Sequence, residues 1–377
     1  MKKSVLIVTI LLLLSLVATT TVSAEVDHKL PKWENVFDPF TIKGEDAYTD
    51  SGVEFKGKLY FIFHDSETGG MKWSQVWGSR DGKNWSLAWD GTSILEGYEQ
   101  IWLLSVFKDQ LYAVLSDKEE ELPGLIMRTR DGKHWEAVAS TPLDEIGDWI
   151  SGGFTSFQGS LYVGACGFSD TMVCGLWRSI SGDPETWEEV AVFPGWNDIA
   201  AFATFKGALY VSSMWTFNEN GENTPAQIWR SYDGVNWQPV IMDGFGDPLN
   251  IATGSFGQKD SYLYVGPGSW EGGGDIWRTK DGANWQPVTT DGLGNPNNLA
   301  FGFVTYQNLL YAYSANLAEG CSVYSSKDGV LWTPANEPGW GDPADSNVWH
   351  DYARVIFKGA LYMGSNGPGG VYKLAKP

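Results

Sequence analysis

One short stretch of the sequence combines an imidazole, a carboxylate and a guanidinium group. It reads "HDYARVIF" over residues 350–357 and supplies His350, Asp351 and Arg354. A carboxylate that acts with a second carboxylate across a bond is sufficient for glycoside hydrolysis, and a neighbouring ionisable group can move protons or bind charge. If the protein catalyses a reaction, we therefore predict that Asp351, His350 and Arg354 are its catalytic residues.

Other carboxylates are plentiful but less distinctive. They precede the predicted strands at Asp46, Asp50, Glu96, Glu99, Asp148, Asp198, Asp247 and Asp345. A solvated loop charge explains each of these residues better than a catalytic acid does. The four histidines lack a zinc-binding spacing, and "EGGGD" at 271–275 precedes no predicted helix. The sequence thus predicts no metal site and no cofactor.

Tryptophan is the residue type that points most directly to a ligand, and the chain has 20. Indole rings stack on the C–H faces of sugars, while amides and carboxylates bind the hydroxyl groups. Nine tryptophans depart from the internal repeat of the chain, and we assign most of them to connections on one face of the fold. The predicted ligand-binding residues are Trp149, Trp196, Trp215, Trp270, Trp340 and Trp349. The alternative is that these rings fill gaps between repeats.

The internal repeat must position these side chains. Its first marker is a tryptophan that recurs at intervals of 47 to 52 residues, at Trp33, Trp85, Trp135, Trp187, Trp237, Trp285 and Trp332. Its second marker is a Leu-Tyr pair that recurs at intervals of 47 to 54 residues, from Leu59 to Leu361. Two independent markers therefore agree on a period near 50 residues and on seven copies.

Each period contains four short runs rich in Val, Ile, Tyr, Phe and Trp, bounded by Gly and Asp, which predicts four strands. Four-stranded units of this length are typical of propeller blades. The last period has three such runs, and "KWENV" at 32–36 matches the missing fourth. We predict an all-β fold: a seven-bladed β-propeller of four-stranded antiparallel blades, whose ring an N-terminal strand closes by completing the last blade.

The third and fourth runs of five periods are joined by an Asp-Gly turn, as in "SRDGKNW" at 79–85. These segments resemble Asp-boxes, also called bacterial neuraminidase repeats, although Gly here follows Asp directly. In the period of Trp187, Ser181 stands where Asp is expected. The resemblance implies a β-propeller and places the turns on its rim. It therefore implies a structural role for Asp81, Asp131, Asp233, Asp281 and Asp328.

Resemblance to sialidases also implies three arginines that converge on a carboxylate. Only Arg354 falls on a predicted inner strand, and the early R-x-P element of that family is absent. Four other arginines share one repeat position, which predicts bonding within or between blades, at Arg128, Arg178, Arg230 and Arg278. A typical sialidase is therefore not expected.

The N-terminus predicts export. Lys2 and Lys3 precede an apolar run that ends in small residues at 22–24, which is typical of a cleaved signal peptide. We expect residues 1–24 to be this peptide and residues 25–377 to form a single β-propeller domain. In the secreted protein Cys166 and Cys174 are candidates for a disulfide, whereas no role is predicted for Cys321.

The formal charge of −20 disfavours nucleic acid as a partner. We predict a secreted or cell-surface monomer, with no membrane span after signal cleavage, that binds a glycan or an extracellular protein through its loops without catalysis. Two alternatives stay open. One is a glycoside hydrolase with a carboxylate pair on the central face, and the other is a scaffold that binds a polypeptide.

Overall fold

The computed structural model describes residues 30–38, 40–44, 47–49, 51–65, 73–116, 124–140, 147–149, 153–168, 172–268, 273–345, 353–365 and 370–375. Within these residues the regular secondary structure is almost entirely β-strand, as the sequence predicted. The exceptions are the helices α1 (Phe40–Lys43) and α2 (Gly91–Ile94), with 3₁₀ turns at Gly244–Gly246, Gly292–Gly294 and Pro338–Gly341.

The strands of the first half are β1 (Trp33–Phe37), β2 (Ala47–Tyr48), β3 (Gly52–Phe55), β4 (Lys58–Asp65), β5 (Ser74–Ser79), β6 (Trp85–Asp90), β7 (Gln100–Phe107), β8 (Gln110–Ser116), β9 (Leu125–Thr129), β10 (Trp135–Ser140), β11 (Gly147–Trp149), β12 (Phe154–Phe157), β13 (Ser160–Phe168), β14 (Met172–Ser179) and β15 (Trp187–Pro194). Those of the second half are β16 (Trp196–Phe205), β17 (Ala208–Phe217), β18 (Asn223–Thr224), β19 (Ile228–Ser231), β20 (Trp237–Ile241), β21 (Ala252–Lys259), β22 (Tyr262–Gly268), β23 (Ile276–Thr279), β24 (Trp285–Thr289), β25 (Phe301–Tyr306), β26 (Leu309–Ser314), β27 (Ser322–Ser326), β28 (Thr333–Pro334), β29 (Arg354–Phe357), β30 (Ala360–Gly364) and β31 (Val371–Leu374).

These strands pair into groups of four consecutive antiparallel strands, which we number as sheets. Sheet 1 is β3 to β6, sheet 2 is β7 to β10 and sheet 3 is β12 to β15. Sheet 4 is β16, β17, β19 and β20, sheet 5 is β21 to β24 and sheet 6 is β25 to β28. Single residue pairs also link sheet 4 to sheet 5 and sheet 5 to sheet 6.

Sheet 7 combines the two ends of the chain. It contains β29, β30 and β31, and its fourth strand is β1. Trp33 lies opposite Leu374 and Glu34 lies opposite Lys373. The pairing that the sequence predicted for "KWENV" is therefore present.

The hydrophobic core is divided into clusters that lie between consecutive sheets. Phe61 and Phe63 of sheet 1 pack with Tyr362 of sheet 7, and six further clusters join sheets 1 to 7 pairwise in chain order. Both surfaces of each sheet are thus buried, which explains why its strands are apolar at adjacent as well as alternate positions.

The repeated tryptophans form the contacts between sheets. A ring from one sheet inserts between the third-strand and fourth-strand rings of the next sheet. Phe37 lies 5.2 Å from Trp77 and 5.3 Å from Trp85. Phe245 takes the same position against Trp277 and Trp285 at 5.0 and 5.7 Å. The first sequence marker thus reports packing between sheets.

The Asp-Gly turns are stabilised internally. Oδ1 of Asp81 accepts hydrogen bonds from the backbone N–H groups of Lys83 and Asn84 at 2.9 and 2.8 Å, and Oδ2 accepts one from the Asn84 amide at 2.7 Å. The N–H of Gly82 donates to Ser79 Oγ at 2.8 Å. The same backbone bonds recur at the turns of Asp131, Asp233, Asp281 and Asp328.

Each of these turns also contacts a neighbouring sheet. A Cβ atom added to Gly82, Gly234 or Gly282 would lie within 2.0 Å of the hydroxyl of Tyr362, Tyr162 or Tyr210, respectively. Lys358 Nζ of sheet 7 donates to the Arg80 carbonyl of sheet 1 at 2.7 Å. We call the edge that carries these turns the turn face, and the opposite edge the loop face.

The repeated arginines bond in different ways. Arg128 donates to Glu136 of its own sheet at 2.7 Å and to Asp183 of the next sheet at 2.6 Å. Arg178 bonds Glu188 within its sheet, and Arg230 donates to the Gly282 carbonyl of the next sheet at 3.1 Å. Arg278 lies 4.4 Å from the ring of Tyr262 in its own sheet.

A disulfide joins Cys166 in β13 to Cys174 in β14, two residues that lie directly opposite each other. Both cysteines are fully buried in the cluster between sheets 3 and 4. Cys321 is buried and unbonded, and burial raises the pKa of its thiol. The disulfide thus braces one hairpin where it approaches the loop face.

We expect the Asp-Gly turns to make the protein sensitive to acid. The N–H and side-chain donors at the fourth turn position hold the pKa of the turn aspartates below its usual range. A depressed pKa stabilises the fold above the ordinary Asp value of about 3.9, and this stabilisation is lost as the pH falls through the folded-state pKa values. Thermal unfolding followed from about pH 6 to about pH 2.5 should therefore show a steep loss of Tm at the acid end.

A quadruple variant, with Asp81, Asp131, Asp233 and Asp281 changed to Asn, tests the cause. It should have a lower Tm at neutral pH and a flatter acid profile. An unchanged profile in this variant would assign the acid sensitivity to other carboxylates.

Candidate functional site

Three short strands raise the loop face above the four-stranded sheets. β2 pairs with the end of β4, β11 pairs with the end of β13, and β18 pairs with the end of β17. All three lie where second strands emerge from sheets 1, 3 and 4. This raised rim is our candidate functional site, because it is the part of the described chain that departs most from the repeat.

Three rings are stacked on the rim at sheets 1 and 2. Tyr48 lies 5.0 Å from His64, and His64 lies 5.1 Å from Trp102, with interplanar angles of 22° and 23°. The indole N–H of Trp102 donates to Ser116 Oγ at 2.7 Å, and Ser116 donates to Gln100 Oε1 at 2.7 Å. His64 is fully buried, whereas Trp102 is half-buried. Trp102 thus presents an indole ring that a neutral polar network holds in place.

Trp215 stands on the rim at sheet 4 in an unusual backbone conformation. Its φ of 51° lies in the left-handed region, which is costly for a bulky residue by about 1–3 kcal/mol. Its N–H donates to the Ile251 carbonyl at 3.1 Å, next to the pair that links β17 to β21. The ring is half-buried. Trp215 therefore presents part of its indole ring at the loop face.

The other predicted ligand-binding tryptophans have different surroundings. Trp196 is 1% exposed, stacks on Phe193 at 4.3 Å and donates to Gln227, so it packs inside the protein. Trp340 stacks on Tyr372 at 4.0 Å between sheets 6 and 7. Trp149 lies in β11 opposite Cys166. Trp270 and Trp349 lie outside the described residues.

The assignment of most irregular tryptophans to connections was wrong. Trp89, Trp102, Trp149, Trp196 and Trp215 all lie within strands. The reason is that several strands extend further toward the loop face than their apolar pattern indicated. β16 and β17, for example, are each 10 residues long.

Arg354 lies on the innermost strand of sheet 7, as predicted, and His350 and Asp351 lie outside the described residues. The same register position is occupied by apolar side chains in five other sheets, at Leu104, Phe154, Phe202, Phe256 and Phe303. The Arg354 guanidinium lies 4.3 Å from the ring centre of Tyr313, and burial lowers its pKa. All seven arginines of the sequence are among the described residues, and the other six flank the Asp-Gly turns or their equivalent.

Sequence reasoning missed the residues that accompany Arg354. The Tyr313 hydroxyl lies 3.0 Å from Ser255 Oγ, which accepts a hydrogen bond from the Phe303 N–H at 2.9 Å. The Tyr313 hydroxyl fits because residue 302 is glycine. A Cβ atom at residue 302 would lie only 2.0 Å from the Tyr313 hydroxyl oxygen. The available signal was the second tyrosine of "LYAYS", a position that is Ile, Val, Gly or Ser in the other repeats.

Two carboxylates expected to be solvated are buried. Asp345 is fully buried and accepts hydrogen bonds from Tyr372 at 2.6 Å and from Ser365 at 3.2 Å. Asp198 is 7% exposed. Asp247 is exposed, as expected, and accepts a bond from the Leu249 N–H. Asp345 thus supports the framework, whereas Asp46 and Asp50 lie outside the described residues.

No cluster of three or more His, Cys, Asp or Glu side chains is arranged to hold a metal ion among the residues that the structure describes. In the same residues, no helix has the length and apolar character needed to span a membrane.

Comparison with known proteins leaves the family open. No protein-family model matches the sequence, and no curated protein matches it. Among solved structures, a puromycin hydrolase S511A mutant complexed with PGG is similar with a TM-score of 0.51 and 10% identity, over 84% of this chain and 50% of that one. Trypanosoma rangeli sialidase with 2,3-difluorosialic acid gives 0.47 and 13% over 76% and 53%. Penicillium chrysogenum α-L-arabinanase with arabinobiose gives 0.47 and 15% over 75% and 94%.

At 10% identity the likeness to the hydrolase is one of fold, and this chain spans about half the length of the hydrolase and sialidase chains. The strand pairing defines the class of protein. The chain is an all-β protein built from consecutive four-stranded antiparallel sheets.

Proposed function

We propose that this protein is an exported seven-bladed β-propeller of the Asp-box kind that binds a carbohydrate through its loop face without catalysis. The single observation on which the proposed ligand rests is the presence of two half-buried tryptophans, Trp102 and Trp215, on the raised rim. Separate observations support the ring, the export and the choice of ligand.

The packing between sheets supports a closed ring. Tyr362 of sheet 7 lies against Gly82 of sheet 1, just as Tyr162 of sheet 3 lies against Gly234 of sheet 4. Lys358 of sheet 7 bonds the Arg80 carbonyl of sheet 1 in the way that Lys108 of sheet 2 bonds the Ile180 carbonyl of sheet 3. The last sheet therefore contacts the first sheet through the same pairs of residues that join sheets adjacent in sequence. Such a pattern is expected when the sheets are arranged in a ring. We infer that the sheets are blades and that β1 closes the ring.

Two features support export. The N-terminal segment at 1–24 has the composition of a signal peptide. The disulfide between Cys166 and Cys174 is of a kind that persists in oxidising compartments.

The chemistry of the rim favours a sugar as ligand. The indole N–H of Trp102 donates to Ser116, which donates to the buried Gln100, so a neutral hydrogen-bonded network fixes the ring on which a sugar would stack. Asp275, whose pKa burial raises, accepts bonds from Asn250 and Trp277, so this carboxylate is tied to the framework. Asp345 is held in the same way, so these two buried carboxylates support the framework better than acid–base chemistry.

A glycan array probed with residues 25–377 tests this proposal. We expect retention of a restricted set of glycans and at least a tenfold loss of affinity in Trp102→Ala and Trp215→Ala, because each removes a stacking surface. Leu331→Ala is the matched control, since this exposed apolar side chain lies on the turn face. Circular dichroism would establish that all variants are folded.

Two results would contradict the proposal. Retention that is indifferent to both tryptophan variants would remove the rim from the binding site. Release of free sugar from a bound glycan, lost in Asp351→Asn, would establish catalysis instead.

A further inference from the structure

The fourth strand of sheet 6 is short. This strand, β28, is two residues long, whereas the fourth strands of the other sheets have five to eight residues. Beyond β28 the Ala335 N–H still donates to the Val323 carbonyl of β27 at 2.7 Å, and Ala335 and Asn336 are buried. A groove lies between sheets 6 and 7 at this edge, away from the raised rim. We call it the seam groove.

The seam groove has a volume of about 450 Å³. It is lined by the rings of Trp33, Trp340 and Tyr372 and by Leu30 and Pro31. The polar side chains that line it are those of Asn35 and Glu337. Both lie on the exposed surface of the protein, so the Glu337 carboxylate stands at the mouth of an aromatic cavity.

The rings form a corner. Trp33 and Trp340 meet edge to face, with centroids 5.8 Å apart and an interplanar angle of 74°. Tyr372 backs Trp340 in a parallel stack at 4.0 Å. Two ring planes that meet nearly at right angles enclose a compact group better than they support a flat one.

Two of the three ring donors of this corner are committed, and the third, the Trp340 indole N–H, is buried. The Trp33 indole N–H donates to the Ala335 carbonyl at 2.7 Å, and the Tyr372 hydroxyl donates to Asp345 at 2.6 Å. A sugar, which needs donors and acceptors around its hydroxyls, would find few here. A cation needs only negative ring faces and a counter-charge.

We propose that the seam groove binds an organic ammonium group, held by cation–π attraction to Trp33 and Trp340 and by the charge of Glu337. None of the described lining residues is a lysine, arginine or histidine, and the formal charge of −20 attracts cations to the surface. This site is independent of the carbohydrate site proposed for the loop face.

Titration with tetramethylammonium chloride, followed through the indole N–H resonances of the protein, tests the site. We expect a saturable shift of the Trp33 and Trp340 signals with a dissociation constant on the order of millimolar. Sodium chloride at equal ionic strength should leave these signals unchanged. Glu337→Gln, which alters an exposed side chain, should weaken binding about tenfold.

Trp340→Leu should abolish the saturable shift of the Trp33 signal. Leucine is the natural choice because Leu293 holds the corresponding position between sheets 5 and 6. Phe245→Leu makes the same kind of change between sheets 4 and 5 and should leave binding intact. Shifts that sodium chloride reproduces, shifts that glucose but not tetramethylammonium induces, or affinity unchanged in both groove variants would each overturn the proposal.

Discussion

Deleting the N-terminal strand is expected to destroy the cooperative fold, and a separate peptide carrying that strand is expected to restore it. A protein that begins at residue 39 lacks β1 and exposes the edge of β31, which is fully paired in the intact chain. It also loses Phe37 from the core between sheets 7 and 1 and Trp33 from the core between sheets 6 and 7. The change therefore opens two junctions at once.

The expected loss of stability can be estimated from the two aromatic rings that the deletion removes. Removing one buried Phe or Trp side chain costs about 3–5 kcal/mol, and the loss of two such rings approaches the total stability of about 5–15 kcal/mol of a typical protein. We expect the truncated protein to lose its sharp thermal transition and to associate through the bared edge. Calorimetry and light scattering would measure both effects.

Complementation supplies the control. A synthetic peptide of residues 25–38 should restore the transition when it is added in excess. The same peptide with Trp33→Ala and Phe37→Ala should restore little. A truncated protein that melts within a few degrees of the full chain would contradict the closed ring.

Much of the framework could be predicted from the sequence, because the framework is repeated. An isolated Asp-Gly pair is a local signal, but its recurrence beside Trp85, Trp135, Trp237, Trp285 and Trp332 predicts one structural unit many times. The same recurrence identified "KWENV" as a strand that lacks its neighbours in sequence. Strand type and order were therefore predictable from local rules that repetition made unambiguous.

The candidate site was less predictable, because it depends on where strands end. β16 and β17 extend to 10 residues, which places Trp196 in the core, whereas β28 has two residues and the seam groove lies beside it. Apolar patterning indicates which residues form a strand, but boundaries depend on contacts between sheets. Ring stacks such as Tyr48, His64 and Trp102 join residues from different sheets, and no local pattern reports them.

The sequence also contains a repeated G-x-G-[DN]-P motif that the sequence analysis did not use. "GFGDP", "GLGNP" and "GWGDP" at 244–248, 292–296 and 339–343 place Phe245, Leu293 and Trp340 in left-handed conformations between consecutive sheets. This motif identifies Trp340 as a packing residue of the framework. Trp340 differs from Phe245 and Leu293 because its larger ring also lines the seam groove beside β28.

Replacing a turn glycine is expected to destabilise the protein more than any other single substitution in the Asp-Gly turns. Gly234 has a φ of +78°, and an added Cβ would lie 1.8 Å from the hydroxyl of Tyr162 in the preceding sheet. Gly234→Ala therefore combines a left-handed backbone cost of about 1–2 kcal/mol with an overpacking cost of about 1–3 kcal/mol. Denaturant unfolding should show a loss of about 2–5 kcal/mol.

Gly207 separates the two causes, because it has the same φ of +78° but no atom within 4 Å of an added Cβ. Gly207→Ala should therefore cost only the backbone part, about 1–2 kcal/mol. Tyr162→Phe removes the clashing hydroxyl, so the double variant with Gly234→Ala should recover part of the loss, and a double-mutant cycle would measure this coupling. Equal costs at Gly207 and Gly234 would show that backbone conformation alone selects glycine, and that the tyrosine of the preceding sheet does not lock the turn in place.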